Sequence, residues 1–375
     1  MSLVLNGTTG ISGTNALTGV TGVNSGQLGG RRNIVYNGEM KVAQRSTSVT
    51  GIGASSGYFT LDRWYMFLQA TAGRLTMAQV ADGPAGFANC MKLTTTTADT
   101  SIAAGERLQL LQVFEGQDLQ QLKKGTSSAE AVTVSFYVKA NAAALYVCEL
   151  LDSDGSRMNT QSFAVTTDWN RIELTFVGDT ASAIVDDNTA SLYLSIWLHG
   201  GSTFTGGTFA SNTWAASTAA NRFAVANRTS IFDATSRTFF ITGVQMELGS
   251  TATAFESRSF GEEYDLCKRY YYQSYDLGVA AATTSNAGSI MLNVITGNSF
   301  RHNIMFNPAM RASPTMTIFN VEDGTAGEMN REGAGGTNPE AIGTTFASPK
   351  RAMLFNTDIS NAGNYYFHYT ALAEL

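Results

Sequence analysis

The sequence predicts a mainly β protein: an antiparallel β-sandwich of jelly-roll type, followed by a short helix and a smaller C-terminal β domain. Charged residues make up only 14% of the 375, and 37 glycines stand against 5 prolines. Thr, Ser, Asn and Gly replace the missing charge, and these residues favour strand faces and turns over helix surfaces. Apolar and polar residues also alternate in many short runs, which one helix signal interrupts.

Composition excludes several classes of protein. The chain has 24 basic and 30 acidic residues, so its net charge is −6. It lacks the excess of basic residues that nucleic-acid binding requires. We expect neither a membrane-inserted segment nor a signal peptide, since no run is long and apolar enough. Cys90, Cys148 and Cys267 are odd in number and far apart, which predicts buried free thiols in a chain made in a reducing cytoplasm.

Residues 1–30 form a separate segment that carries no charge and few bulky side chains. Such a peptide buries too little apolar area to offset its ordering entropy, so alone it should be flexible. Disordered leaders are normally charged. The absence of charge therefore favours an anchor, which becomes ordered when it binds a partner or other copies of itself. A leader without any role is the alternative.

Residues 31–258 are predicted to form the sandwich. Period-two alternation, which buries one face of a strand and leaves the other wet, occurs in the runs 131–139, 171–176, 191–199 and 244–248. Asp154-Gly155 is typical of a hairpin turn between two strands. We therefore interpret the acidic residues around it as turn formers rather than as catalytic carboxylates.

Residues 259–274 should form a connecting helix, because Ser259 and Glu262 make a capping box. Tyr270, Tyr271 and Tyr272 crowd the end of this short helix, which favours burial between three copies of the chain. Residues 275–375 return to strand patterns and predict a C-terminal β domain, with a long Gly-rich loop from 322 to 343.

The chain carries no motif of a catalytic nucleophile, a metal cluster or a phosphate loop, so we predict no enzyme, no cofactor and no metal. His199, His302 and His368 lie in separate predicted strands without metal-ligand spacing to Cys or Asp. The function is therefore expected to be binding.

Aromatic residues on the predicted wet faces are the candidate carbohydrate-binding residues, because sugars stack their apolar C–H faces on aromatic rings. In the run 191–199 the leucines and Ile196 point to the core, so Tyr193, Trp197 and His199 should point outwards. The further candidates are Tyr137, Gln245 and Trp214. The alternative is that a loop or a neighbouring subunit covers these aromatics.

Seven segments form a recognisable set of motifs. They are Asn37-Gly38-Glu39-Met40, Gln44-Arg45-Ser46, Leu61-Asp62-Arg63-Trp64, 243–256, 258–271, 309–315 and 367–375. Together they resemble the tail fibres and receptor-binding proteins of tailed bacteriophages, and the helix motif 258–271 is the most specific.

This resemblance implies a trimeric virion fibre, with a jelly-roll domain like a carbohydrate-binding module at 31–258 and a small β tip at 275–375. It also implies that Asp62-Arg63-Trp64 and Trp169-Asn170 are packing residues at strand starts. We therefore predict a non-enzymatic attachment fibre that binds a host polysaccharide or lipopolysaccharide, forms a homotrimer and mounts on a tail or baseplate protein through residues 1–30. A polysaccharide depolymerase and a purely structural fibre or connector are the alternatives.

Overall fold

The computed structural model describes residues 22–23, 26–27, 31–295, 300–332, 339–356, 359 and 361–375. A short antiparallel pair, β1 (Gly22–Val23) and β2 (Gly26–Gln27), belongs to the predicted N-terminal segment, and the remainder of that segment lies outside the described residues. No helix among the described residues is both long and apolar enough to cross a membrane.

Residues 48–248 form two six-stranded antiparallel sheets. The strands are β3 Ser48–Ile52, β4 Tyr65–Gln69, β5 Arg74–Val80, β6 Cys90–Thr97, β7 Arg107–Glu115, β8 Val132–Ala140, β9 Ala144–Asp152, β10 Arg157–Val165, β11 Asn170–Phe176, β12 Ala190–Gly200, β13 Ala215–Ala216 and β14 Thr238–Leu248. The first sheet has the order β13-β10-β9-β12-β7-β4, and the second has the order β11-β8-β14-β6-β5-β3. The predicted mainly β fold with an antiparallel sandwich is confirmed.

The main hydrophobic core lies between these two sheets. Alternate residues point inwards, among them Leu194 and Ile196 of β12 and Val134 and Phe136 of β8. The prediction that one side of each run is wet was wrong for the runs in β8, β12 and β14, which are mostly buried on both sides. In β8, for example, most of the nine positions are buried. The prediction holds for the run in β11, where buried and more exposed residues alternate over 173–176.

The predicted helix is confirmed as α2 (Phe260–Lys268), but the predicted range 259–274 was too long, since residues 271–273 form a strand. A single-turn helix, α1 (Ser202–Thr205), lies in the loop after β12. The Ser259 hydroxyl accepts a hydrogen bond from the N–H of Glu262 at 3.3 Å, as an N-cap should. The carboxylate of Glu262 forms an ion pair with Arg31 at the surface.

The three tyrosines after α2 are covered within the chain. The guanidinium carbon of Arg63 lies 3.5 Å from the ring centroid of Tyr270, and that of Arg45 lies 3.7 Å from the ring centroid of Tyr271. Tyr272 packs against Phe306, with 5.4 Å between ring centroids. The expectation that neighbouring copies cover these rings was wrong for Tyr270 and Tyr271, which are buried within the chain, and it is not tested for the half-buried Tyr272. The homotrimer stays a prediction that depends on the family resemblance.

The C-terminal part contains two further sheets around a second hydrophobic cluster. Its strands are β15 Tyr271–Gln273, β16 Ile290–Val294, β17 Phe300–Met305, β18 Thr315–Asn320, β19 Glu328–Arg331, β20 Pro339–Ala341, β21 Gly343–Ser348, β22 Arg351–Asn356 and β23 Gly363–Leu372. The long β23 pairs with β15, β16, β18 and β19, and the order β17-β22-β21 makes the second sheet. β19 and β20 fall in the predicted Gly-rich loop, and their short polar sequences give no period-two signal.

A buried polar junction, made of Asn37, Asp62, Arg63, Glu263 and Glu374, joins the sandwich to α2 and to the C-terminus. Asn37 has the left-handed backbone conformation (φ 54°), and its N–H donates to Glu263 Oε1 at 2.6 Å. Its amide nitrogen donates to the carbonyl of Asp62 at 3.0 Å, and its own carbonyl accepts from Trp64 Nε1 at 3.1 Å.

Arg63 and Glu374 form the second half of the polar junction. Arg63 is 0% exposed, and its guanidinium pairs with the Glu374 carboxylate while it also donates to the carbonyl of Val113 on β7. Arg45 bridges Asp62 and Glu374, with N–O distances of 2.9 and 3.0 Å. The last residues of the chain are therefore held against the first strands of the sandwich.

All three cysteines are free and buried, as the sequence predicts. Burial raises the pKa of the Cys90 thiol to about 11, with a further contribution from Asp82. The thiol of Cys90 is therefore protonated and unreactive at neutral pH.

Asn37→Ala should lower the free energy of unfolding by about 3 to 5 kcal/mol, because it removes several buried hydrogen bonds and places Ala in a left-handed conformation. Urea unfolding followed by tryptophan fluorescence measures this. Asn227 is the matched control, since it has the same conformation (φ 57°) with an exposed side chain. Asn227→Ala should cost only about 1 kcal/mol; equal losses for the two variants would contradict the role given to the polar junction.

Candidate functional site

The face of the first sheet that points away from the second sheet, here called the outer face, brings polar and aromatic side chains into register. Pairing across β4, β7 and β12 aligns Phe67, Gln109 and Trp197 in one row. The next row consists of Tyr65, Leu111, Ser195, Glu149 and Thr160. Directly paired side chains on one side of a sheet lie about 5 Å apart, so the two rows are contiguous. Within them Tyr65 and Phe67 are half-buried, and the other side chains are buried.

Arg107 lies at one end of the outer face between two aromatic rings. Its guanidinium carbon is 4.1 Å from the ring centroid of Phe67 and 4.9 Å from that of Phe204 in α1. Its Nε donates to Gln69 Oε1 at 2.9 Å. Burial lowers the pKa of Arg107, and the neighbouring charge of Arg222 lowers it further. In the part of the chain that the structure describes, no carboxylate forms a salt bridge with Arg107.

A buried carboxylate holds Arg222 over the same face. Glu149 accepts two hydrogen bonds from the Arg222 guanidinium, at 2.7 and 2.6 Å, and a third from Trp197 Nε1 at 2.8 Å. The guanidinium carbon also lies 5.0 Å from the Trp197 ring centroid. A bidentate arginine–carboxylate pair has a fixed geometry, so Arg222 is pre-oriented.

Gln109, on the strand that carries Arg107, has a hydrogen-bond donor that is unused among the described residues, and three aromatic rings of the same sheet are partly accessible. Gln109 is only 2% exposed, and no partner in the described structure bonds to its Nε2. Tyr65, Phe67 and Tyr193 are half-buried, so part of each ring stays accessible. Burial, together with the charge of Asp154, raises the pKa of Tyr193, which keeps its hydroxyl protonated.

Trp197 is not on a wet surface, and the prediction that its ring faces solvent was wrong. It is 0% exposed, and the rings of Phe204 and Phe223 cover it at centroid distances of 5.4 and 5.8 Å. Both rings belong to the loop after β12, so the alternative that a loop covers this aromatic is confirmed. Trp197 therefore supports Arg222 from beneath.

His199 is also 0% exposed, and the prediction that it points outwards was wrong. A bulge between Trp197 and His199 inserts one extra residue, so that His199 pairs with the core residue Leu108. The imidazole turns towards the end of the sandwich, where Nε2 lies 3.1 Å from Glu106 Oε2. Asp99 lies next to this pair, so the structure assembles a possible metal-ligand set that the sequence spacing did not show.

Tyr137 and Gln245 lie on the second sheet, so the structure does not bring them to Tyr193. Tyr137 packs against Phe87, with 5.2 Å between ring centroids, and is half-buried. Gln245 is 0% exposed, because the segment after β14 covers it and Glu256 N–H donates to its Oε1 at 2.8 Å. Alternation showed which side of its own strand each residue occupies, but not which sheet the strand joins.

Trp214 lies apart from the outer face, next to the edge strand β13. Its Nε1 donates to the carbonyl of Val177 at 2.6 Å, and Lys124 Nζ lies 5.1 Å from its ring centroid. Lys124 in turn forms salt bridges with Asp152 and Asp179. These contacts explain the position of the half-buried ring by packing alone.

Of the predicted candidates, Tyr193 alone contributes an accessible ring to the outer face. Phe67, Arg107 and Arg222 were missed, since each belongs to a different part of the sequence. The run 65–69 does alternate aromatic and aliphatic residues, and this signal could have identified Tyr65 and Phe67 as one side of a strand.

No protein-family model matches this chain, and no curated protein matches it. The solved structures to which it is similar include a family 11 carbohydrate-binding module from Clostridium thermocellum in complex with a β-1,3-1,4-mixed-linked tetrasaccharide. That match has 11% identity, covers 56% of this chain and 100% of the module, and has a TM-score of 0.27. A family 30 carbohydrate-binding module gives 11% identity, coverage of 59% and 90%, and a TM-score of 0.29. The tandem CBM22 domains of Paenibacillus barcinonensis Xyn10C give 12% identity, coverage of 88% and 97%, and a TM-score of 0.26. Values this low carry no functional argument.

Glu149→Ala should lower the free energy of unfolding by about 3 to 5 kcal/mol, because it leaves the Arg222 guanidinium and the Trp197 indole N–H without their buried partner. Glu173→Ala is the matched control, since Glu173 pairs with Arg171 while its side chain is 51% exposed. The control should change stability by about 0.5 kcal/mol or less. Chemical denaturation of both variants tests this, and a small loss for Glu149→Ala would contradict the supporting role of that carboxylate.

Proposed function

We propose that this protein is a non-enzymatic bacteriophage tail fibre that binds a host surface glycan through the outer face. The observation that supports the glycan role is the group of half-buried side chains Tyr65, Phe67 and Arg107, in which the Arg107 guanidinium packs on the Phe67 ring. Aromatic rings stack on the apolar faces of sugars, while arginine and amide groups bond to their hydroxyls. The orientation of these groups is fixed before a ligand arrives, which reduces the cost of binding.

An acidic polysaccharide suits the outer face better than a neutral one. The charge of Arg222 is close enough to lower the pKa of Arg107, and Glu149 forms an ion pair with only Arg222 of these two arginines. An anionic group on a sugar, such as a carboxylate, would give Arg107 the charged partner that it lacks in the described structure. Planar guanidinium groups bind carboxylates in a bidentate manner, which adds orientation to the attraction.

Glu149, the one carboxylate in the two rows of the outer face, supports a binding protein rather than a depolymerase. Glycoside hydrolysis generally needs two carboxyl groups on opposite sides of the scissile bond. Glu149 is 0% exposed and already accepts hydrogen bonds from Arg222 and Trp197. It is therefore held as a structural partner and is poorly placed to transfer a proton to a sugar.

The virion role is supported by the resemblance of the motifs at 37–40, 61–64 and 258–271 to phage tail fibres. Residues in these motifs make the polar junction, so they act as the scaffold for the fibre. We further propose a homotrimer, in which residues 1–30 of each copy mount on a tail or baseplate protein.

Arg107→Ala and Phe67→Ala should each weaken glycan binding by about tenfold or more, and Arg107→Ala should also remove the preference for acidic glycans. A glycan array of acidic and neutral bacterial polysaccharides, followed by calorimetry on the best ligand, measures both effects. Arg171→Ala is the control, because Arg171 lies on the second sheet and should leave affinity unchanged.

Two outcomes of this experiment would contradict the proposal. Binding confined to neutral glycans would remove the acidic preference, and absence of binding to any glycan would favour the purely structural fibre. Release of reducing ends from a bound polysaccharide would show a depolymerase instead.

Deleting residues 1–30 should abolish incorporation into the virion while glycan binding persists. The strands of the sandwich, α2 and the polar junction all lie beyond the deletion, so residues 31–375 should fold. Immunodetection of the truncated protein in purified virions measures incorporation, with the full chain as control. Normal incorporation of the truncated protein would contradict the anchoring role.

A further inference from the structure

We propose that Asp99, Glu106 and His199 form a binding site for a divalent transition-metal ion at one end of the sandwich. The ligand atoms of these three side chains all lie within 4.8 Å of one another. The residues are 6%, 4% and 0% exposed, so the cluster is enclosed by protein. None of its three side chains is among those proposed to bind the glycan.

The charge of the cluster calls for a cation. Two carboxyl groups are buried side by side, and the hydrogen bonds that they accept from Thr71, Ala72 and Ala103 add no positive charge. In the described part of the chain, neither Asp99 nor Glu106 forms a salt bridge with a lysine or an arginine, and Glu106 Oε2 lies 3.1 Å from Nε2 of the His199 imidazole. A divalent ion would neutralise both carboxylates.

One oxygen of each acid is already held by hydrogen bonds from surrounding backbone N–H groups and from one threonine hydroxyl. Asp99 Oδ2 accepts hydrogen bonds from Thr71 Oγ1 at 3.0 Å and from Ala72 N–H at 2.8 Å. Glu106 Oε1 accepts from Ala103 N–H at 2.8 Å. Each acid therefore keeps one oxygen for the interior of the cluster, which is how outer partners orient metal-ligating carboxylates.

The donor set selects the kind of ion. One imidazole nitrogen with two carboxylate oxygens suits Zn²⁺ and its neighbours, whereas Ca²⁺ and Mg²⁺ prefer oxygen ligands only. His199 Nδ1 lies 2.8 Å from Ser230 Oγ, and Nε2 lies 3.1 Å from Glu106 Oε2. With the proton on Nδ1 donated to Ser230, Nε2 carries the lone pair, and the ion would lie between Nε2 and the Glu106 carboxylate in place of their present contact. Ring orientation by a second partner is the rule for metal-ligating histidines.

The ion would tie together segments that are distant in sequence. Asp99 is bonded to residues 71–73, Glu106 follows the next turn, and His199 ends β12. The carbonyl of Glu106 also accepts from Gly201 N–H at 2.8 Å, where the loop that carries Phe204 and Arg222 begins. Occupancy should therefore stabilise this end of the sandwich.

The test uses the full chain, stripped with EDTA and dialysed, and titrated with ZnCl2 in a calorimeter. We expect about one ion per chain and a rise in melting temperature with Zn²⁺. Co²⁺ should give the visible absorption bands of a protein-bound ion in the wild-type protein. Absence of Zn²⁺ binding and of the Co²⁺ bands would overturn the proposal without any variant.

Glu106→Gln and His199→Gln should each raise the dissociation constant by about tenfold or more, because each replaces one ligand. Asp186→Asn, at an exposed carboxylate, and His302→Gln, at a histidine in β17, are the matched controls and should bind as the wild type does. Unchanged affinity in both ligand variants, or binding of Ca²⁺ with no binding of Zn²⁺, would also overturn the assignment.

Discussion

Burial of the polar junction is the constraint on which the rest of the structure depends. Asn37 has its backbone N–H, its carbonyl and both polar atoms of its side chain bonded inside the protein, to partners that include Glu263 of α2. A polar group taken out of water without a partner costs about 1 to 3 kcal/mol, so these bonds must form together or not at all. The start of the sandwich, α2 and the C-terminus are therefore coupled in one arrangement.

The polar junction also holds β7, the strand that carries Arg107 and Gln109 of the outer face. Arg63 donates to the carbonyl of Val113, and β7, which contains Val113, also carries Arg107 and Gln109. β7 lies between β4 and β12, so its position determines the spacing of Phe67 from the residues of β12. The motifs that resemble phage fibres thus contribute to the candidate site as supports, and the residues that would contact a ligand lie outside them.

Local sequence patterns predicted the elements that depend on residues close in sequence. They failed for features that depend on contacts between distant segments. The capping box at Ser259 and the strand at 191–199 were predictable because propensity and alternation act within a few residues. The burial of Trp197 depends on Phe204 and Phe223, and the bulge at His199 depends on the register with β7. The residues of the run 191–199 alone therefore could not predict the burial of Trp197 or the bulge at His199. Asp99 and His199 are 100 positions apart, so no spacing rule could have joined them.

An aromatic residue on the predicted wet side of a strand nevertheless lies in the sheet that carries the proposed site. Trp197 cannot touch a sugar, yet its indole N–H and its ring hold the Glu149–Arg222 pair in place. The accessible groups form a layer above it, in which Arg107 is partly desolvated between two rings and has no bonded carboxylate among the described residues. Desolvation of a cation without such a partner costs free energy, and an anionic ligand would recover that cost on binding. If the proposed function is correct, Arg107 is thus the residue at which the stability of the free protein and the affinity for an acidic glycan would be opposed.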